Sequence, residues 1–158
     1  MNLRQKKQEK IQEEIEKSLK TDMSISEERF KNAYRSQNED SLLKSAAELL
    51  SKNADNVDVL LGLSDHYLRK GFPDVARIFY SRILEKRPDH PDVNNNLGVL
   101  AMKEEKEAEA VVYFKKALQG NRKHTGANFN LGTYYLKYMD YEKAEMFLEN
   151  AYDQDSKN

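Results

Sequence analysis

Val93-Asn94-Asn95-Asn96-Leu97-Gly98-Val99-Leu100-Ala101, with Ala110-Val111-Val112-Tyr113-Phe114 behind it, is the stretch that decides how this chain is read. The same layout returns 34 residues later. Leu131-Gly132 answers Leu97-Gly98, Tyr135 answers Ala101, Ala144 answers Ala110, and Phe147-Leu148 answers Tyr113-Phe114. It also stands 34 residues earlier, as Leu63-Ser64, Tyr67, Ala76 and Phe79-Tyr80. Ile83, Ala117 and Ala151, followed by Leu84, Leu118 and Tyr152, complete the match. Three consecutive windows therefore begin at Val57, Pro91 and Thr125, and the third ends on Asn158. Self-similarity at a fixed period marks a stacked repeat architecture.

Within a window the spacing is helical. Leu60, Ser64 and Tyr67 share one face of a first helix, and Ala76, Tyr80, Ile83 and Leu84 share one face of a second. Gly71-Phe72-Pro73-Asp74 separates them, since Gly can end a helix and Pro can begin one. Arg87-Pro88-Asp89-His90-Pro91-Asp92 separates one window from the next. Each window is thus expected to be a helical hairpin. The small slots, Gly98 with Ala110 and Gly132 with Ala144, would let its two backbones approach closely.

The repeated Leu-Gly, the later Ala, the aromatic, the second Ala and Pro88 resemble the tetratricopeptide repeat over residues 57–158. The family's signature Trp is replaced by Leu60, Asn94 and Asn128, and its closing Pro by Arg122 and Ser156 in the later windows. The resemblance implies an all-α fold, a right-handed superhelical stack of antiparallel helical hairpins. A degenerate fourth copy is expected at residues 23–56. Arg29, Phe30, Ala33 and Tyr34 suit its first helix, Gln37 to Asp40 its turn, and Leu42, Leu43, Ala46, Leu49 and Leu50 its second helix. Ser24 to Glu27 has the spacing of a capping box. Residues 1–22 read as a charged helix or linker. Leu3, Ile11, Ile15 and Leu19 make a thin apolar stripe, supported by the pairs Glu13–Lys17 and Glu16–Lys20. That helix would serve as a cap, a short coiled-coil segment or a connection to a larger protein.

Composition narrows the function. Charged residues are 34% of the chain, yet the formal net charge is −1 with the signs interspersed, so nucleic-acid binding has no electrostatic support. No segment has a signal-peptide core or the length of a membrane span. The absence of Cys excludes disulfides and thiolate metal sites. It leaves reducing cytosol and oxidising periplasm both open, with the cytoplasm slightly favoured. There is no phosphate loop, nucleophile elbow or Cys nucleophile, so no enzyme, cofactor or metal is expected. His66, His90 and His124 are too far apart to form a ligand cluster, and the last two read as turn residues. Glu104-Glu105-Lys106-Glu107 reads as a solvated turn.

In the family, binding uses the concave face lined by the first helix of each hairpin. The resemblance assigns to it Asp58, Leu61, Asp65, Leu68 and Arg69, then Asp92, Asn95, Val99, Met102 and Lys103, then Gly126, Phe129, Thr133, Leu136 and Lys137. This is an apolar floor with polar points, suited to a peptide. Asn96 and Asn130 share a slot, and their amides could bond a peptide backbone or a neighbouring side chain. Arg35, Arg69, Lys103 and Lys137 form a basic ladder that would attract an acidic peptide or complement the helix dipoles. The family's carboxylate clamp for chaperone tails needs Lys, Asn, Asn, Lys and Arg where this chain has Leu61, Asp65, Asn96, Gly126 and Asn130. Only Asn96 matches, so that activity is not expected.

Nothing follows Asn158, so Tyr141, Phe147, Leu148, Ala151 and Tyr152 are expected to leave an apolar flank uncovered. A longer array, self-association through this end, or the residue 1–20 helix of another copy would each account for it. The leading expectation is a non-enzymatic scaffold that binds a partner peptide or helix in the concave groove. The alternatives are an assembly element, possible as a homodimer through the last hairpin, and a regulatory segment of a larger protein.

Overall fold

The computed structural model describes residues 3–155, which form eight α-helices and no strand. They are α1 (Leu3–Arg35), α2 (Glu39–Lys52), α3 (Val57–Arg69), α4 (Pro73–Lys86), α5 (Pro91–Lys103), α6 (Glu107–Gly120), α7 (Thr125–Lys137) and α8 (Tyr141–Asp155). The fold is all-α, as the periodicity requires. The slot at Ser156 and the side chains of Leu3 and Ile11 lie outside the described residues. The chain divides into two compact units, residues 1–66 and 67–158, and the division falls within α3.

The 34-residue register is written most clearly in the backbone of the turns. Gln37, Gly71, Glu105 and Met139 stand one period apart, and all have positive φ, at 55°, 82°, 61° and 59°. The next residue along, at Asn38, Phe72, Lys106 and Asp140, donates its N–H to the carbonyl of Ala33, Tyr67, Ala101 and Tyr135 at 2.8–3.1 Å. This is the Schellman closure of a helix, in which a left-handed residue lets two orphan carbonyls be satisfied. Only Gly71 holds that conformation without steric cost. Met139→Gly is therefore expected to stabilise the protein by about 1 kcal/mol, which raises Tm by about 3 °C for a chain of this size. Thermal unfolding checks this, and an unchanged or lowered Tm would contradict it.

In the first unit α1 and α2 pack as a hairpin around Phe30, Ala33, Leu42, Ala46 and Leu49. Asn38 caps α2 by accepting the N–H of Ser41. The Tyr34 hydroxyl donates to Asp65, and His66 lies 3.4 Å from Glu39. The expected helix start at Ser24 is corrected. α1 runs unbroken through it, because nothing between Leu3 and Arg35 interrupts helical propensity and a capping box acts only where the preceding chain is non-helical. Ser26, inside α1, instead donates its hydroxyl to Glu48 of α2.

In the second unit α5 packs with α6, and α7 with α8, as antiparallel hairpins. Ala101, Ala110, Phe114 and Leu131 form their common core. The space left by Gly98 is filled by the Phe114 ring, and that left by Gly132 by Leu148, whose backbone nitrogen also lies close. A large side chain of one helix sits where the other has none. Asn94 and Asn128, which replace the family's Trp, are fully buried. The Asn94 amide donates to the carbonyls of Pro88 and His90 at 3.0 Å. That of Asn128 donates to Arg122 and His124 at 3.0 and 3.1 Å. Each asparagine thus ties down the turn that leads into its helix.

The two turn histidines differ. His124 caps α7 by accepting the Ala127 N–H on Nδ1, so its ring proton sits on Nε2 and donates to Asp92 at 3.0 Å. This bond holds the Asp92 carboxyl below its ordinary range. His90, in the same slot, makes no side-chain cap and is buried with Nδ1 lacking a partner. Burial, aided by Arg87, pushes its pKa below the ordinary 6.5. Since the unfolded chain then binds protons more tightly, the neutral ring's contribution is complete above pH 6.5 and is lost as pH falls below it. Asn56, one period earlier, caps α3 by accepting the Val59 N–H. His90→Asn is expected to gain about 1 kcal/mol from the equivalent cap. It should also flatten the decline in stability between neutral and mildly acid pH. Urea unfolding at several pH values measures both effects.

Candidate functional site

α5 and α7 of the second unit lie side by side and enclose a cleft of about 340 Å³. Val99, Met102 and Lys103 come from α5, and Phe129, Asn130, Thr133, Tyr134 and Lys137 from α7, with Phe114 of α6 behind them. The helical period explains the set. Residues 99, 102 and 103, like 129, 133 and 137, fall on one side of their helices, while Leu97 and Leu131 on the opposite side are buried. Phe129 is 55% exposed, and Leu136 on the same helix is 49% exposed. A phenylalanine ring left open to solvent beside Val99 and Met102 supplies apolar surface that an incoming side chain can cover.

The charges around the cleft are unequal. Lys137 bonds Glu107 of α6, and the Tyr138 hydroxyl donates to the same carboxylate at 2.6 Å. The Lys137 and Tyr138 bonds hold Glu107 below the ordinary carboxylate range, and Glu107 raises Lys137 in return. One rung of the basic ladder is thereby partnered within the chain. Lys103, on the facing helix, is exposed. The acidic turn is more than a solvated run, because Glu104 bridges Arg77 at 2.6 Å and Lys106 at 2.8 Å.

The asparagines form a connected row. The Asn130 amide donates to Asn95 at 3.0 Å, Asn95 to Asn96 at 3.5 Å, and Asn96 to the Tyr80 hydroxyl at 3.1 Å. The row links α7, α5 and α4, so Asn96 and Asn130 each spend at least one amide hydrogen on a neighbour. Gly126 lies against Asn95 as well.

Of the other expected groove residues, Leu61 and Asp58 line a separate cleft of about 410 Å³ in the first unit, with Phe30, Lys31, Tyr34 and Arg35. Asp65 is the acceptor for Tyr34. Leu68 and Arg69 line neither cleft. At the last hairpin Tyr141 and Tyr152 are 64% and 73% exposed. Phe147 is half-buried, its ring stacked on Tyr135 at 5.6 Å and 4°, and Leu148 fills the gap at Gly132. The sequence reading missed Phe114 and Tyr134 as cleft residues. They lie outside the concave slots carried over from the family, although Tyr134 stands one residue after Thr133 on a cleft-lining helix.

The tetratricopeptide repeat model matches residues 28–91 and again residues 61–124, more than half of the chain. The chain belongs to the tetratricopeptide repeat family. No curated protein matches its sequence. Among solved structures it is similar to MamA, with 19% identity and a TM-score of 0.62 over 82% of this chain and 70% of that one. A second MamA structure gives 13% identity and a TM-score of 0.66 over 99% and 96%. PilW, described as a widely conserved type IV pilus biogenesis factor, gives 24% and 0.67 over 84% of this chain and 62% of its own length. At these identities the likenesses carry the fold alone. Membership of the repeat family supports a protein–protein interaction scaffold. No described helix is long and apolar enough to cross a membrane.

Proposed function

We propose that this tetratricopeptide repeat protein is a non-enzymatic scaffold whose α5–α7 cleft binds an extended or helical segment of a partner protein. The observation that carries the reading is Phe129, an open aromatic ring beside Val99 and Met102 in a cleft flanked by Lys103. An apolar side chain covering Phe129 and an acidic group near Lys103 would complement both features. The asparagine row is a weaker part of the site, since its amides already hold the helices to one another.

A pull-down with mass spectrometry tests this. A partner captured by the wild-type chain should be lost, with affinity reduced about 30-fold, in Phe129→Ala, as expected for an aromatic anchor. The same variant should retain its Tm, because the ring is exposed. Undiminished capture by Phe129→Ala would reject the cleft.

A second reading, assembly through α8, is favoured by the exposure of Tyr141 and Tyr152. Leu118 of α6, one period before Tyr152, packs against the core cluster that contains Leu131 of α7. Sedimentation should then show a dimer that Tyr152→Glu dissolves. Phe147→Glu is a poorer probe, since that ring is stacked inside its own hairpin.

A further inference from the structure

The starts of α5 and α7 are joined, His124 to Asp92 at 3.0 Å and Asn130 to Asn95 at 3.0 Å, while Met102, Lys103, Thr133 and Lys137 line the same cleft further along. The two helices therefore run parallel, and their last residues, Lys103 and Lys137, stand at the same end. Phe129, Thr133 and Lys137 are spaced by four along α7, which makes a ridge about 12 Å long at the helical rise. Most polar groups along it are already engaged. Asn130 donates to Asn95, the Thr133 hydroxyl donates to the Phe129 carbonyl at 2.9 Å, and Lys137 bonds Glu107. Val99, Phe114 and Phe129 carry no hydrogen-bonding side-chain group, and Met102 only a weak acceptor. The Lys103 ammonium, the Tyr134 hydroxyl and the remainder of the Asn130 amide are what the cleft has left to offer.

That remainder decides between the two forms a bound segment can take. A strand about 12 Å long has about four residues, and those of its backbone N–H and C=O groups that face the floor lose water and need partners. Sites for extended segments supply such partners in a row, as a sheet edge does. Here the floor supplies only Asn130 and Tyr134, which stand side by side on α7. An α-helix brings its backbone bonds with it and needs only apolar surface and a groove for its own ridge. Charge then gives the direction. The C-terminal ends of α5 and α7 are the negative ends of their dipoles, so a helix laid antiparallel brings its positive N-terminal end to them. An acidic residue in its first turn suits that dipole and also meets the exposed Lys103.

We infer that the partner segment held in the α5–α7 cleft is an amphipathic α-helix lying antiparallel to α5 and α7, with an acidic residue of its first turn against Lys103, which rests on the reading of that cleft as the binding site. Its apolar residues recur at helical spacing behind the acidic one and cover Met102, Val99 and Phe129 in turn. The one that covers Phe129 stands about two turns beyond the acidic residue, since the ridge is about 12 Å long.

Two displayed peptide libraries are the probes, both selected on the full chain. One has a helix-forming framework of about 16 residues with its apolar face randomised. The other carries Pro at every third position, which holds it extended. Clones that bind the wild-type chain and not Phe129→Ala should come from the helical library, carry Asp or Glu in the first turn, and gain helical circular dichroism on binding. Pro placed at the centre of such a peptide should weaken it about 100-fold. Lys103→Glu should weaken it about tenfold, and exchanging the peptide's acidic residue for Lys should restore binding to that variant. Both substituted positions are exposed, so both variants should keep the wild-type Tm. Phe129-dependent clones from the Pro library overturn the helix. Phe129-dependent helical clones indifferent to Lys103→Glu overturn its direction. If neither library yields a clone that depends on Phe129, the cleft itself fails and the inference with it, a result distinct from the other two.

Discussion

Gly120→Ala should destabilise the second unit by about 3 kcal/mol and lower Tm by about 10 °C. Gly120 ends α6, and a Cβ built there would lie 2.0 Å from the carbonyl oxygen of Asp89 in the turn between α4 and α5. The obstacle is backbone, which cannot rotate aside as a side chain can. The Asp89 carbon at 3.0 Å and the Pro91 ring at 3.1 Å close the remaining space. Either the end of α6 or the start of α5 must move. Because the buried Asn94 amide is tied to Pro88 and His90 in that turn, moving the turn strains those bonds too. Gly126→Ala is the control. Its added methyl would meet the Asn95 side-chain amide at 3.2 and 3.3 Å, which can shift, and alanine's better helix propensity offsets the crowding. Equal Tm changes in the two variants would refute the argument from Asp89.

Phe114→Ala should cost about 4 kcal/mol, the range for emptying a large ring from a tight core. Phe114 is 1% exposed and belongs to the core with Ala101, Ala110 and Leu131. Its ring also occupies the space at Gly98, where a Cβ would come within 2.5 Å of it. Gly98→Ala alone should therefore destabilise, by about 2 kcal/mol. In the Phe114→Ala background the obstructing ring is gone, so the same substitution should stabilise. A double-mutant cycle in urea measures this change of sign, and additive effects would mean that the two positions do not share a space.

These residues show what a sequence reveals and what it conceals. The hairpins were legible because Leu97, Ala110, Phe114 and their counterparts one period away repeat at helical spacing, and packing of an apolar face follows from that spacing. The turn at Gly71 was legible because Gly can end a helix and Pro73 can begin the next. Turns at Gln37 and Glu105 were legible too, but the left-handed backbone shared by Gln37, Glu105 and Met139 was not, because the backbone hydrogen bonds that close the helix ends hold those residues where propensity argues against them. Gly120 gave no signal either. Its slot carries Lys86 in the preceding window, and its closeness to Asp89 depends on how α6 meets a turn some 30 residues away. The capping box at Ser24 misled because capping is a property of a helix start, and no start occurs there.

The candidate site was legible in part. The concave slots named Val99, Met102, Lys103, Phe129, Asn130, Thr133 and Lys137, and all seven line one cleft. The slots could not reveal that Lys137 leans on Glu107 or that Asn130 is spent on Asn95, since those partners come from other helices. The two ladders that looked alike in sequence therefore differ rung by rung. On the basic ladder Lys103 is exposed and Lys137 is bonded to Glu107.

Chemical-shift mapping with a peptide selected from a random library for binding to the chain tests the central claim most directly. Methyl and amide shifts should cluster at Val99, Met102, Phe129 and Thr133, with the peptide's apolar side chain giving contacts to the Phe129 ring. Shifts confined to the outer faces of α4, α6 and α8, or binding that survives Phe129→Ala unchanged, would contradict it.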